Sequence, residues 1–289
     1  MSQRSLRWAR DCVIALLLIA CAGAACASRT LDRIRADGVI HVGYRASAAP
    51  FSFKDRDGSI RGYSAELCTR IASAIQKQLG LQALKVDWSA VDAADRLDAV
   101  SKGHIDIECG TTTMTLKRFE QVDFSLPVFV DGASVLTHAG AKNKELADLA
   151  GKRVAVISGT TTEIALKRAL ATLNIKCELV PVSDAVGGLA QLTAGKVDGF
   201  AGDRIVLVSL RAGSADPAKL ALLESDFSFE PYALVVRRDD PDFRLAVNRA
   251  LVQIYRSGDI DDIFFRWLGA LGRPGPLLHS MFYLSTIPE

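Results

Sequence analysis

Apolar residues fall along this chain in short β-branched runs, separated by longer stretches in which they recur every three or four positions. The short runs are Val39–Gly43, Leu84–Trp88, Ile105–Cys109, Val154–Ile157, Cys177–Val180 and the residues around Phe200. Runs this short, and this rich in Val and Ile, predict buried strands. The amphipathic stretches predict helices over Ala65–Leu79, Ala93–Ser101, Thr162–Leu173, Asp184–Thr193 and Pro241–Ser257. Strands and helices that alternate in this way belong to the α/β fold class, with parallel sheets flanked by helices.

One segment echoes another. Ala99-Val100-Ser101-Lys102-Gly103-His104-Ile105-Asp106-Ile107 reappears as Gln191-Leu192-Thr193-Ala194-Gly195-Lys196-Val197-Asp198-Gly199. In both, a helix runs into a glycine suited to a left-handed cap and a strand starts at once. A helix–Gly–strand joint is common in any α/β protein, but this agreement covers polar as well as apolar positions and predicts two similar lobes. No Pro/Gly/Ser-rich linker divides them. The chain is expected to cross between lobes in strand-like segments, at Val128–Thr137 and at Ala233–Arg237, and two crossings form a hinge. Residues 28–131 with 232–289 are assigned to lobe 1 and residues 132–231 to lobe 2. Ligands of such folds sit at the carboxyl ends of strands, in the crevice between lobes.

The first residues carry Arg4, Arg7 and Arg10, then an apolar run from Val13 to Ala20 and the small residues Ala25-Cys26-Ala27. That order predicts a secretory signal peptide over residues 1–27, with cleavage before Ser28 and a soluble periplasmic product. The apolar run is shorter than the roughly 20 residues a spanning helix needs. Leu18-Ile19-Ala20-Cys21 also resembles a lipoprotein box, so an anchor through Cys21 is the alternative. The net charge of +2 is spread over interspersed acids and bases, which gives no reason to expect nucleic acid as a partner. Three of the six cysteines lie in the leader, leaving Cys68, Cys109 and Cys177. An odd number excludes a fully paired framework, and three buried free thiols are expected, with one disulfide as the alternative. His41, His104, His138 and His279 have no metal-ligand spacing, and no catalytic triad declares itself. Neither a metal nor a cofactor is expected.

Several segments together carry a family resemblance. They are Gly43-Tyr44-Arg45, Ala49-Pro50-Phe51-Ser52-Phe53, Gly62-Tyr63-Ser64, Glu108-Cys109-Gly110-Thr111-Thr112-Thr113, Arg118, and Asp123-Phe124-Ser125-Leu126-Pro127. Ser158-Gly159-Thr160-Thr161-Thr162-Glu163 and Val197-Asp198-Gly199-Phe200-Ala201-Gly202-Asp203 complete the set. In order and spacing, over about residues 29–270, the chain resembles the periplasmic polar amino-acid binding proteins of ABC transporters (solute-binding protein family 3), most closely their glutamate/aspartate branch.

The resemblance implies a type II periplasmic-binding-protein fold that closes about its hinge, working as a monomer with a membrane permease. It implies that Arg118 clamps the ligand α-carboxylate with help from Thr113 and Thr160, that Asp203 receives the α-ammonium, and that Arg45 and Arg96 reach a side-chain carboxylate. It places Phe51 over the ligand, and Gly110, Thr111, Ser158 and Thr161 complete the ligand-binding set. Physical chemistry supports these roles. A carboxylate withdrawn from water needs fixed donors, and a guanidinium offers a planar fork. One arginine and one acid suffice for a zwitterion, so a second and third arginine make sense only for a ligand with extra negative charge. Ser158–Thr161 lies between a strand and a helix start, where free N–H groups favour an anion; simple N-capping is the alternative reading. Two departures weaken the side-chain contacts: Asp184-Ala185-Val186-Gly187-Gly188 lacks the histidine of the acidic branch, and Ala93 stands in place of a serine. The expectation is a non-enzymatic binding protein for glutamate or aspartate. The alternative is an exported dehydratase on the same fold acting on a cyclic carboxylic acid, with Glu108 or Glu163 as its acid.

Overall fold

The computed structural model describes residues 29–141 and 143–288, so the leader, its cleavage site and Cys21 lie outside the described residues. Two five-stranded sheets share one strand plan. In the first, β1 (Val39–Tyr44) runs parallel to β5 (Lys85–Ala90) on one side and to β6 (Ile107–Glu108) on the other. Next to β6 comes antiparallel β13 (Glu230–Val236), with β7 (Asp123–Asp131) at the edge. In the second, β9 (Arg153–Ile157) runs parallel to β10 (Glu178–Val182) and β11 (Gly199–Asp203), followed by antiparallel β8 (Ala133–His138) and the edge strand β12 (Leu220–Leu222). A small sheet of β2 (Ser47–Ala48), β3 (Ser52–Lys54) and β4 (Ile60–Arg61) projects from the first lobe.

The internal echo has a structural cause that reaches past the glycine caps. Gly103 and Gly195 both adopt left-handed backbone, at φ +75° and +69°. Just beyond them, the Asp106 carboxylate accepts from the backbone N–H of His41 at 2.8 Å, and Asp198 accepts from that of Arg153 at 2.8 Å. Each aspartate thus stitches the head of one parallel strand to its neighbour, and each also pairs with an arginine, Arg33 or Arg153. The polar half of the repeat satisfies backbone donors that the start of a parallel pair leaves open.

The first crossing falls where expected: β7 ends at Asp131, and β8 begins at Ala133 after Gly132. The return does not lie at Ala233–Arg237. Phe227 still bonds Ala133 in the second sheet, whereas Glu230 already stands opposite Asp131 in the first. The return is therefore made around Ser228–Phe229, and the apolar run that suggested a crossing is a buried central strand.

Helices α1 (Arg29–Asp37), α2 (Tyr63–Leu79), α3 (Arg96–Ser101), α7 (Pro241–Ser257), α8 (Asp259–Leu268) and α9 (Pro276–Leu284) accompany the first sheet. Helices α4 (Thr161–Thr172), α5 (Ala185–Thr193) and α6 (Arg204–Gly213) accompany the second. The limits of α7 follow from local chemistry: Asp240 accepts from Phe243 N–H as N-cap, Pro241 occupies the first turn, and Gly258 ends the helix at φ +84°. Its inner face, with Val247 and Leu251, packs in one buried cluster with Ile71 and Ile75 of α2. Burial of four such side chains contributes on the order of 6–12 kcal/mol before chain entropy is counted.

The expectation of three free thiols is corrected. Cys68 on α2 and Cys109, just after β6, form a disulfide with Cα atoms 6.4 Å apart, leaving Cys177 free and half-buried. Packing α2 across the end of β6 brings two fully buried sulfurs together, a juxtaposition that a sequence separation of 41 hides. No helix among the described residues is long and apolar enough to cross a membrane.

Candidate ligand cleft

The carboxyl ends of β1, β6 and β11 and the start of α4 converge on a narrow pocket between the lobes. Arg45 follows β1, Arg96 opens α3, Thr111 follows β6, and Asp203 ends β11. With Thr160 and Thr161, all of them line this pocket. Arg118 lies outside this lining, in a second, wider cleft that it lines with Thr113 and Glu230. Thr161 borders both spaces.

The arginines are what an apolar fold would ordinarily avoid. Arg45 and Arg96 are 5% and 3% exposed, yet neither lies within ion-pair distance of a carboxylate among the described residues, nor does the half-buried Arg118. The buried Nε of Arg96 has no hydrogen-bond partner at all. Arg118 donates through Nη1 to the Thr113 carbonyl, 2.7 Å away. Burial lowers the pKa of Arg45, and the nearby Arg96 charge lowers it further. The same two causes bring Arg118 down to about 10, still far above neutrality, so it remains cationic. Positive charge is concentrated here and incompletely matched, an arrangement that favours an anion.

Acidic groups line the hinge side. Burial raises the pKa of Asp203, Glu230 raises it further, and its Oδ1 accepts from the Thr162 hydroxyl at 3.0 Å. Asp131 is pushed up to about 8 by burial and by the Asp203 charge, while accepting from the N–H groups of Gly132 and Ile205. Glu108 is wholly buried beside Arg45, with one oxygen accepting from Thr112 and the other unpartnered. A cationic group and an anionic group could thus be held side by side, as in a zwitterion.

The remaining candidates divide. Thr160 is the N-cap of α4, accepting from Glu163 N–H at 3.1 Å and donating its own proton to the Ile157 carbonyl at 2.7 Å. The N-capping reading of this loop is therefore correct. Its hydroxyl, like that of Thr113, is committed inside the protein, which leaves the N–H groups of the first turn of α4 as the donors an anion could meet there. Ser158 is exposed and outside the pocket lining. Gly110 serves as a clearance: a Cβ there would sit 2.7 Å from Cγ of Arg45 and collide with Glu108. Phe51 does not cover the ligand space. It is fully buried, edge-on to Tyr63, Phe129 and Tyr232 with ring centroids 4.9–6.0 Å apart, because the turn after Pro50 folds it under the hinge. Where the expected histidine is missing, Asp184 caps α5 through Gly187 N–H, and Gly188 leaves room for the Phe200 ring. Ala185 and Phe200 make that wall of the pocket apolar. Glu163, one of the two acids considered for a dehydratase, is held by Lys167 and Gly159 N–H outside the pocket lining.

Sequence reasoning missed Glu230, Asp131 and Tyr232 at this site. The available signal was an acid at one end of an apolar run: Asp131 after Val128–Val130, and Glu230 before Tyr232–Val236.

The model of the bacterial extracellular solute-binding proteins, family 3, matches residues 40–270. The chain belongs to this family. Among family 3 relatives, the "Glutamate/aspartate import solute-binding protein" of Salmonella typhimurium is 33% identical over 245 residues, 85% of this chain and 81% of that protein. The "L-glutamate/L-aspartate-binding protein" of Pseudomonas aeruginosa is 33% identical over 256 residues, 88% of this chain and 85% of its own. Among solved structures, the ancestral amino acid-binding protein AncCDT-1, described as a precursor of cyclohexadienyl dehydratase, is 30% identical with a TM-score of 0.72, covering 82% of this chain and 99% of that one. The two-lobe, type II periplasmic-binding-protein fold and amino-acid solute binding for ABC import follow from this membership.

Proposed function

We propose that this family 3 protein captures an acidic amino acid, glutamate or aspartate, and delivers it as a monomer to the membrane permease of an ABC importer. The observation that carries the reading is the set of three guanidinium groups, Arg45 and Arg96 in the pocket and Arg118 in the cleft that shares Thr161 with it, with no ion-pair partner among the described residues. Arg118 and the first turn of α4 hold the α-carboxylate, Asp203 takes the ammonium, and Arg45 and Arg96 fork the side-chain carboxylate. The names of the two bacterial relatives agree with this ligand class. Export is supported by the Cys68–Cys109 disulfide, since such bonds persist in oxidising compartments. The mature chain then begins at Ser28, and mass spectrometry of the exported protein reads this directly; a diacylglyceryl group on Cys21 is the contrary result.

Binding rather than catalysis is favoured by the family 3 relatives, which are named as solute-binding proteins, and Asp203 and Glu230 are both engaged by internal hydroxyl donors. Incubation with prephenate should yield no product. The decisive experiment is a thermal-shift screen of the amino acids followed by calorimetry. Glutamate or aspartate should bind more tightly than glutamine or asparagine by about 2 kcal/mol, roughly 30-fold, because the amide cannot accept the charge-assisted fork. Equal affinities for acid and amide, or no response to any amino acid, would refute the reading.

A further inference from the structure

Glu230 is the acid that no family motif pointed to, and three hydroxyl groups converge on its carboxylate. It is 2% exposed. Its Oε2 accepts from Thr113 Oγ1 at 2.5 Å and from Thr161 Oγ1 at 2.7 Å, while Oε1 accepts from Ser228 Oγ at 2.6 Å. Thr113 belongs to the first lobe, Thr161 opens α4 in the second, and Glu230 begins β13 directly after the return crossing. The two threonine oxygens lie 3.2 Å apart, so one carboxylate oxygen gathers both lobes at a single point.

A threonine hydroxyl has one proton and two lone pairs, and a carboxylate only accepts. Once both protons point at Glu230, Thr113 and Thr161 can offer neighbouring groups nothing but lone pairs. The Thr162 proton is likewise committed to Asp203. Lone pairs reject a carboxylate and suit an ammonium, whose three protons need three acceptors. Glu230 is also near enough to Asp203 to be the largest charge acting on it.

We propose that Glu230 is a positioning residue for ligand selection: by orienting the hydroxyls of Thr113 and Thr161 as acceptors and adding negative charge beside Asp203, it makes this end of the cleft demand an ammonium group. The inference rests on the amino-acid reading above and deepens it. A ligand with the same carboxylates but no ammonium leaves the oriented oxygens and Asp203 facing one another without a proton between them. Wild-type protein then discriminates against such a ligand by tenfold or more.

Glu230→Gln keeps the shape and removes the charge, and its amide can donate to a threonine oxygen, turning a hydroxyl proton back toward the ligand. The experiment is calorimetry of wild type and Glu230→Gln with the best amino acid of the screen and with its des-amino analogue, glutarate in the case of glutamate. Glutamate affinity should fall tenfold or more in the variant, while glutarate affinity holds or rises, so that the ratio narrows. Thr161→Val, which deletes one acceptor without altering charge, should narrow the same ratio and serves if the glutamine variant does not fold. Loss of both ligands by the same factor would mean that Glu230 only supports the structure, and an unchanged ratio would mean that it does not act on the ammonium; either result overturns the proposal. Wild-type protein that binds no amino acid would sink the parent reading as well, whereas wild-type glutamate binding with an unmoved ratio sinks this inference alone.

Discussion

Replacement of Arg96 by methionine separates a ligand-binding arginine from a structural one, because the two roles predict changes of opposite sign. Arg96 is 3% exposed, its Nε has no partner, and its charge lowers the pKa of both Arg45 and Arg118. In the ligand-free protein its removal relieves a buried, unmatched cation and fills the space with an apolar chain of similar length, so stability should hold or rise. In the complex, the same change deletes a charge-assisted hydrogen bond to the side-chain carboxylate, at a cost of about 1.5–3 kcal/mol. That corresponds to a loss of about 10- to 100-fold in glutamate affinity. Glutamine, which accepts only an ordinary hydrogen bond, should lose about 1 kcal/mol, roughly fivefold. Calorimetry with both ligands on wild type and Arg96→Met, alongside urea denaturation without ligand, gives all four quantities. A variant that keeps the wild-type glutamate-to-glutamine ratio, or that unfolds several kcal/mol more easily, would show that Arg96 supports the fold and leave the acidic-ligand argument without its main cation.

Three other outcomes are expected. Arg118→Ala and Asp203→Ala should each abolish measurable binding with unchanged far-UV circular dichroism, since each strands a ligand charge in the closed cleft at a cost of several kcal/mol. Asp131, with its pKa raised to about 8 in the folded protein, keeps a proton that the unfolded chain has already released above about pH 4. Its contribution is therefore fully present in acid and lost as pH rises through about 8, and Asp131→Asn should flatten the melting temperature between pH 5 and 8. The double change Cys68→Ser with Cys109→Ser opens a loop of 41 positions and should lower stability by about 2–4 kcal/mol in urea denaturation.

Much of the scaffold was legible because periodicity and local punctuation agreed. The helix expected over Pro241–Ser257 has those limits in the structure, and Ala65–Leu79 was short by only its first two residues. The helix expected from Ala93 begins at Arg96, because the preceding residues form a turn in which Asp95 accepts from Asp92 N–H. Local pattern failed where partners come from far along the chain. Ala233–Arg237 looked like a connector since its apolar character does not disclose that β6 and β7 wait on either side. Phe51 was misread for a related reason: an aromatic after proline fits a cleft or a core, and only the arrival of Phe129 and Tyr232 decides between them. Arg45, Arg96 and Asp203 were singled out through the family resemblance, and each stands at the end of a strand or the start of a helix and lines the pocket. Thr113 and Thr160 were located but given the wrong hydrogen-bond polarity, which depends on Glu230 and Ile157 as acceptors.

The place of β13 between β6 and β7 also sets a timetable for biogenesis. Every strand of the second sheet lies on one uninterrupted stretch, residues 133–222, so that sheet needs no partner from outside it. The first sheet remains two unjoined halves until residue 236 has been made, and joining them closes a loop of about a hundred residues, a slow, long-range step. Glu230 and the return strand of the hinge arrive with that same segment. A nascent or truncated chain that stops short of it carries a folded inner lobe but neither a complete outer one nor a means of closing. Ligand capture thus depends on a segment far along the polypeptide from the β1, β5 and β6 strands that it completes.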